Sequence, residues 1–303
     1  MAKNVQEEIQ LSELWDEVFA RKWVVIITGF LAGIIGVYIA VTLPEQFKAK
    51  VTLIPNQNSE GLSDVGGQLG GLAGLAGINL GSPSSVDKTA ITIKVLQSPS
   101  FIIDFIKKHE IEIPLMAAKS FDRVRNRLEL DPEKFDAEAG KWVREATPIR
   151  TSEPTPVELY ERFTESFEVI HDKKEGFIEL TIEFYSPQMT VTWLSLLLDD
   201  INEKIREEEI EELQANIAYL EKALENTTNA SMHTTFYSII EEQTKSLMLA
   251  ESRKEFALKI VSPAMLPEKR SKPNKVLIVI AMGVLGGVLS LSYVIVRYFT
   301  RKG

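Results

Sequence analysis

Two stretches interrupt an otherwise mixed pattern of polar and apolar positions. Trp23–Leu43 (WVVIITGFLAGIIGVYIAVTL) and Val276–Val296 (VLIVIAMGVLGGVLSLSYVIV) carry no charge over their whole length. A helix crossing the hydrocarbon core of a bilayer needs roughly 20 apolar residues, so both stretches predict transmembrane helices. The first is longer than the apolar region of a secretory signal, and Leu43-Pro44-Glu45 follows it rather than a small-residue cleavage pattern. Trp15, Trp23, Tyr293, Tyr298 and Phe299 sit near the ends, where aromatic rings collect at membrane interfaces.

Between the two spans the periodicity changes several times. Phe47–Pro55 (FKAKVTLIP) alternates as a strand does. Val86–Leu96 and Pro99–His109 have helical spacing and open after Ser and Pro signals. Short helices are expected around Phe121–Leu128 and Ala137–Glu145, and the two-proline loop TSEPTP leads into a further helical turn. Phe167–His171 and Phe177–Tyr185, joined by DKKEG, predict a β-hairpin, and Phe256–Val261 a last strand. The longest helical pattern starts at Pro187. Its apolar positions Ile210, Leu213, Ile217, Leu220 and Leu224 recur at spacings of three and four, a heptad seam. Asn226–Asn229 (NTTN) breaks it, and a second helix follows to about residue 255, with Phe236, Ile240 and Leu247 on one face. A helix of about 36 residues is roughly 54 Å long, more than a compact base requires.

The expected fold class is therefore an α+β membrane protein. Two transmembrane helices flank a large extramembrane loop, which has an α/β base and a long projecting helical hairpin. The divisions are a tail 1–22, a span 23–43, a loop 44–275 with its helical arm at about 187–255, a span 276–296 and a tail 297–303. The strands at 47–55 and 256–261 are expected to share one sheet. Arg21, Lys22, Arg297, Arg301 and Lys302 flank the spans on the tail side. Lys48, Lys50, Lys269, Arg270, Lys272 and Lys275 nearly balance them on the loop side. Long loops translocate largely regardless of charge, so the tails are expected to be cytoplasmic.

Composition narrows the chemistry. The 303 residues are 45% hydrophobic and 25% charged, with a net charge of -9. An acidic balance disfavours nucleic acid, whose phosphates attract clustered Lys and Arg. The absence of Cys removes disulfides, thiolate metal sites and cysteine nucleophiles together. His109, His171 and His233 lack metal-ligand spacing. The acidic run at 203–212 reads as a solvated helix face, and Asp199 and Asp200 point in different directions on a helix. No catalytic residue, metal site or cofactor is nominated, and the chain is expected not to be an enzyme.

The segment GGQLGGLAGLAGINLG at 66–81 contains Gly66, Gly67, Gly70, Gly71, Gly74, Gly77 and Gly81. It is not a phosphate-binding P-loop, which needs a Lys directly after the glycines; the next one here is Lys88. It is expected to be an ordered or semi-ordered apolar loop facing the membrane surface or the lumen of a ring of copies. A flexible linker is the simpler alternative, and a third span is disfavoured by so many glycines.

The head LSELWDEVFARKW, the first span and the strand FKAKVTLIP together resemble the chain-length determinant family of bacterial polysaccharide export, the Wzz-type polysaccharide co-polymerases. The resemblance continues in VSPAMLPEKRSKPNKVLIVIAMGVLGGVLS, with Pro263, Pro267 and Pro273 before the second span and Gly283, Gly286 and Gly287 within it. It implies an inner-membrane protein with a periplasmic loop, assembled as a homo-oligomeric ring and acting with a membrane polysaccharide polymerase, and with lipid-linked polysaccharide as a further partner. It also implies that the chain sets the length of an O-antigen-type polymer without catalytic residues of its own. Gly283, Gly286 and Gly287 are then candidates for span packing or polymerase contact. Kinase-bearing relatives carry a cytoplasmic Walker domain; here only a short tail after the second span is expected. A membrane-anchored export or adaptor component that does not set length remains the alternative.

Overall fold

A computed structural model of the chain describes residues 22–56, 88–146 and 151–302. The glycine-rich segment, Gly66 to Gly81, lies outside the described residues, as does most of the N-terminal tail. The chain divides into two compact units, Phe47–Lys269 and the pair of terminal segments Met1–Gln46 with Arg270–Gly303.

The terminal unit is an antiparallel pair of apolar helices, α1 (Lys22–Thr42) and a last helix at Lys275–Lys302. Trp23–Thr42 and Lys275–Arg297 are long and apolar enough to cross a membrane. Most of their large apolar side chains, such as Phe30, Ile34, Leu285 and Leu289, face outward, as they do in a helix solvated by lipid.

The larger unit is built on a four-stranded antiparallel sheet. Its strands are β1 (Phe47–Pro55), β6 (Phe167–Asp172), β7 (Phe177–Phe184) and β8 (Leu258–Ser262), in the order β6-β7-β1-β8. The first and last strands of the loop therefore pair directly, as expected. Alternation divides the faces. Phe47, Ala49, Val51 and Leu53 point into the core, while Lys48 and Lys50 point out and pair across strands with Glu168 and Glu179.

Helices cover the core face. These are α2 (Lys88–Leu96), α3 (Pro99–Lys108), α4 (Glu112–Ala117), α5 (Pro156–Thr164) and the first half of α6 (Pro187–Glu225). Three of them start on the same device, a hydroxyl N-cap followed by proline at the first helical position: Ser98-Pro99, Thr155-Pro156 and Ser186-Pro187. At Thr155 the cap is a full capping box with Glu158. Phe105, Phe163, Phe167, Phe184 and Trp193 pack in tilted and edge-on pairs at the centre. Beyond the core, α6 continues against α7 (Ala230–Ser252), forming the helical hairpin. Of the heptad seam, Leu213 is buried and Ile210, Ile217, Leu220 and Leu224 are half-buried. Phe236, Ile240 and Leu247 are half-buried on α7, so the seam is a contact within the chain.

The structure differs from the expectation at 118–142. Instead of two short helices there are two hairpins, β2 (Ala118–Asp122) with β3 (Arg127–Leu130), and β4 (Phe135–Asp136) with β5 (Lys141–Trp142). The cause is turn chemistry. The Asp122 carboxylate accepts from the N–H groups of Val124 and Arg125, and Asp136 does the same for Glu138 and Ala139. Asn126 and Gly140, four residues after each Asp, take positive φ. That closes a strand-to-strand turn and stops a helix. The expected β6–β7 hairpin uses the same arrangement, with Asp172 and Gly176. The last helix, α8 (Lys275–Lys302), completes the chain.

Candidate functional site

In the terminal unit the small residues of the two spans face each other. A Cβ at Gly286 would collide with Ala32 Cβ and lie 3.1 Å from Thr28 O. One at Gly36 would lie 2.9 Å from Met282 Cβ and 3.3 Å from Val279 Cα. The face repeats at spacings of three and four, with Ala40, Ser290 and Val294 buried along it. Glycine at these points lets two backbones approach closely in a solvent that offers no hydrophobic driving force between helices. The three candidate glycines therefore separate. Gly286 is occupied by α1 of the same chain, Gly283 touches the edge of that contact, and Gly287 has open space around it.

The approach to α8 is tied to the end of α1. Glu45 accepts from Arg270 at 3.1 Å and from Lys275 at 3.0 Å. The Gln46 N–H donates to Lys272 O, and its carbonyl accepts from the Ser271 N–H. Pro273 follows this bridge through a cis bond. Pro263 and Pro267 belong to the larger unit. Pro263 directly follows Ser262 at the end of β8, where a residue without an N–H cannot extend the ladder, and Pro267 lies in an irregular stretch.

In the larger unit a cluster absent from the sequence reading joins α3 to α6. Asp200 accepts from Lys108 at 2.9 Å and faces His109 Nε2 at 2.8 Å, while Lys108 also reaches Glu203 at 3.1 Å. Hydrogen bonds to Asp200 and then Glu203 raise the Lys108 amine above the ordinary lysine range. Beside the cluster lies an open groove of about 790 Å³, with Ile91, Val95 and Phe101 on its wall and Asp104, Glu207 and Glu208 on its rim. Among the described residues no group of three His, Asp or Glu could hold a metal ion.

A second feature fixes the root of the hairpin. Asn202 on α6 is 4% exposed, and its carboxamide is fully used. It donates to Leu258 O and Leu198 O and accepts from the N–H groups of Ala257 and Leu258. Pro55 lies opposite Leu258, and the Asn56 N–H donates to Ala257 O, so the Leu258 amide faces away from β1. Asn202 stands where a further strand would pair, capping the edge of β8. A polar residue one helical turn after Leu198, in the middle of the apolar face, was the signal in the sequence.

Two family models match the sequence, one at each membrane end. Residues 7–109 match the family model described as Wzz, chain length determinant protein. Residues 221–299 match GNVR, described as a G-rich domain on putative tyrosine kinase. Together the two models take in more than half of the chain, including both spans. No curated protein matches the sequence. Among solved structures, a full-length bacterial polysaccharide co-polymerase is similar over 97% of this chain and 99% of its own, at 13% identity and a TM-score of 0.41. A fragment of WzzB, a polysaccharide co-polymerase from Salmonella Typhimurium, is similar over 76% of this chain and 100% of its own, at 11% identity and a TM-score of 0.34. At its two membrane ends the chain is thus similar to the Wzz chain length determinant family over residues 7–109 and to the GNVR family over residues 221–299.

Proposed function

We propose that this protein regulates the chain length of a bacterial surface polysaccharide of the O-antigen type without catalysing its synthesis. The observation that carries this reading is the family match at both membrane ends, residues 7–109 and 221–299. In this reading the protein is an inner-membrane homo-oligomer with residues 44–275 in the periplasm and both termini in the cytoplasm. It acts as a scaffold for the membrane polymerase, and the growing polymer remains lipid-linked beside it. Pro263, Pro267 and Pro273 stiffen the approach to the second span. The outward side of that span, at Gly287, is the surface offered to the polymerase.

The experiment is the surface-polysaccharide ladder from cells lacking the gene and from cells with it restored. A clustered length distribution that becomes random on deletion and clusters again on restoration supports length regulation. The second reading is a membrane-anchored export or adaptor component that does not set length. It predicts that long polymer disappears on deletion. Topology is tested separately. The chain has no native Cys, so Ala2→Cys and Lys302→Cys can be labelled from either side, and matching accessibility is expected.

A further inference from the structure

Three hairpins among the described residues share one turn. Asp122, Asp136 and Asp172 each accept from the N–H groups two and three residues on, and a positive φ follows at Asn126, Gly140 and Gly176. With the backbone held constant, the tips differ only in chemistry. Residues 137–140 read AEAG and residues 173–176 read KKEG. The β2–β3 tip reads Arg123-Val124-Arg125-Asn126-Arg127, three cations and a branched apolar residue in a chain of net charge -9.

The side chains at this tip are presented rather than packed. Val124 is 95% exposed. Arg125 is 81% exposed and only 3.8 Å from Asp122 at its nearest. Arg127 makes no ion pair among the described residues. A single exposed valine is ordinary, and so is a single exposed arginine. What sets this tip apart is where Arg123 anchors it. The Arg123 guanidinium lies 4.6 Å over the Phe47 ring and donates to Glu268 O at 3.5 Å. Phe47 is five residues past Thr42, the end of α1, and Glu268 is seven residues before Lys275, the start of α8. A fully extended chain spans at most about 3.5 Å per residue, so covalent geometry keeps these anchors within about 17 Å and about 25 Å of the apolar helices. With α1 and α8 in a bilayer, the two residues that anchor the tip are on tethers of at most those lengths from the membrane-spanning helices.

From this we infer that the β2–β3 tip rests on an anionic phospholipid surface. The Arg125 and Arg127 guanidinium groups bind headgroup phosphates, a geometry the planar fork suits, and Val124 enters the upper acyl region. The Asx turn pre-organises the tip, so little conformational freedom is lost on docking. The interaction works as a foot: it couples the base to lipid charge at a point distinct from the two spans.

The test uses the full chain in nanodiscs of phosphatidylcholine, with or without phosphatidylglycerol. An environment-sensitive probe is placed at Val124→Cys and, as control, at Ala137→Cys on the β4–β5 tip, in a chain with no other Cys. The probe at 124 is expected to be quenched by a lipid-borne quencher in anionic discs, and the probe at 137 is not. Each basic residue near such a surface shifts the bound-to-free equilibrium roughly fivefold. Arg125→Glu with Arg127→Glu should therefore release the probe by at least about twentyfold, and added salt should act in the same direction. Both variants leave Arg123 and Asp122 themselves in place; Arg125→Glu gives up the 3.8 Å approach to Asp122, but the backbone N–H at 125 still donates to that carboxylate, so the hairpin keeps its anchors. Equal water exposure at 124 and 137 overturns the inference, and so does quenching that ignores lipid charge. Shielding at 124 in lipid-free detergent that fades on dilution assigns the tip to a second copy and overturns it as well. Protease protection of the two spans in the same discs reports independently on the bilayer premise.

Discussion

Replacing Asn202 by Ala tests how the hairpin is held to the sheet. The side chain is 4% exposed and serves two backbone N–H donors and two carbonyls through one carboxamide. The Leu198 carbonyl keeps its position in the helix, but the N–H and C=O of Leu258 have no ladder partner, because they face away from β1. Truncation strands those groups in a buried setting. A buried backbone group left without a partner costs about 1–3 kcal/mol, so the loss sums to about 3 kcal/mol with some relief from water entry. For a unit of this size each kcal/mol shifts Tm by about 2–4 °C, giving a fall of about 10 °C. The assay is thermal unfolding of the full chain in detergent, read together with hydrogen exchange at Ala257 and Leu258. Those two amides should lose protection well beyond the change in global stability. Asn202→Asp keeps the acceptor for both N–H groups but turns an anion towards two carbonyls, so it should be destabilised more at neutral than at acid pH. Asn56 is the internal control. It donates to Glu255 O at an exposed site, and Asn56→Ala should cost less than about 1 kcal/mol. A Tm for Asn202→Ala within a degree or two of the Asn56→Ala value would refute the reasoning.

Other expectations follow from the same kind of accounting. Gly286→Val should force α1 and α8 apart, at about 1–3 kcal/mol of overpacking, whereas Gly287→Ala should leave them paired; the yield of an engineered disulfide between the spans reads the difference. Gly176→Ala should cost about 1 kcal/mol by chemical denaturation. Its φ is +76°, and a Cβ there meets nothing, so the penalty is backbone alone. The Lys108 amine is raised in the folded state, so its contribution is complete below the ordinary lysine value and is lost as pH rises through the raised one. Lys108→Met should therefore be less stable than the parent at neutral pH, by under about 1 kcal/mol because Lys108 is half exposed, and the gap should close in strong alkali. A gap that widened with pH would contradict the pairing with Asp200 and Glu203.

The parts of this molecule legible in its sequence are those with a single strong period. Twenty uncharged residues fix a span whatever surrounds them, and the strand at Phe47–Pro55 shows its alternation in FKAKV. The seam of α6 was readable for the same reason; its partner within the chain became clear only when α7 was placed against it. Residues 118–142 misled because Arg123, Arg125, Arg127, Leu128, Ala137 and Glu138 suit helices. The deciding information was an Asp four residues before an Asn or Gly, a turn signal spread over five positions. The Lys108–Asp200 contact joins residues 92 apart, and no local pattern carries it. Gly283, Gly286 and Gly287 looked equivalent in sequence, because which glycine faces the other span depends on the rotation of α8 about its axis.

The central claim is that the protein biases polymer length while another component forms the bonds. Proteoliposomes holding the membrane polymerase and lipid-linked repeat units, with and without this chain, test it most directly, with product length read on a gel. The account predicts a random length distribution from the polymerase alone and a clustered one when the chain is added, at similar total bond formation. An unchanged distribution, or polymer formed by this chain without the polymerase, would contradict it.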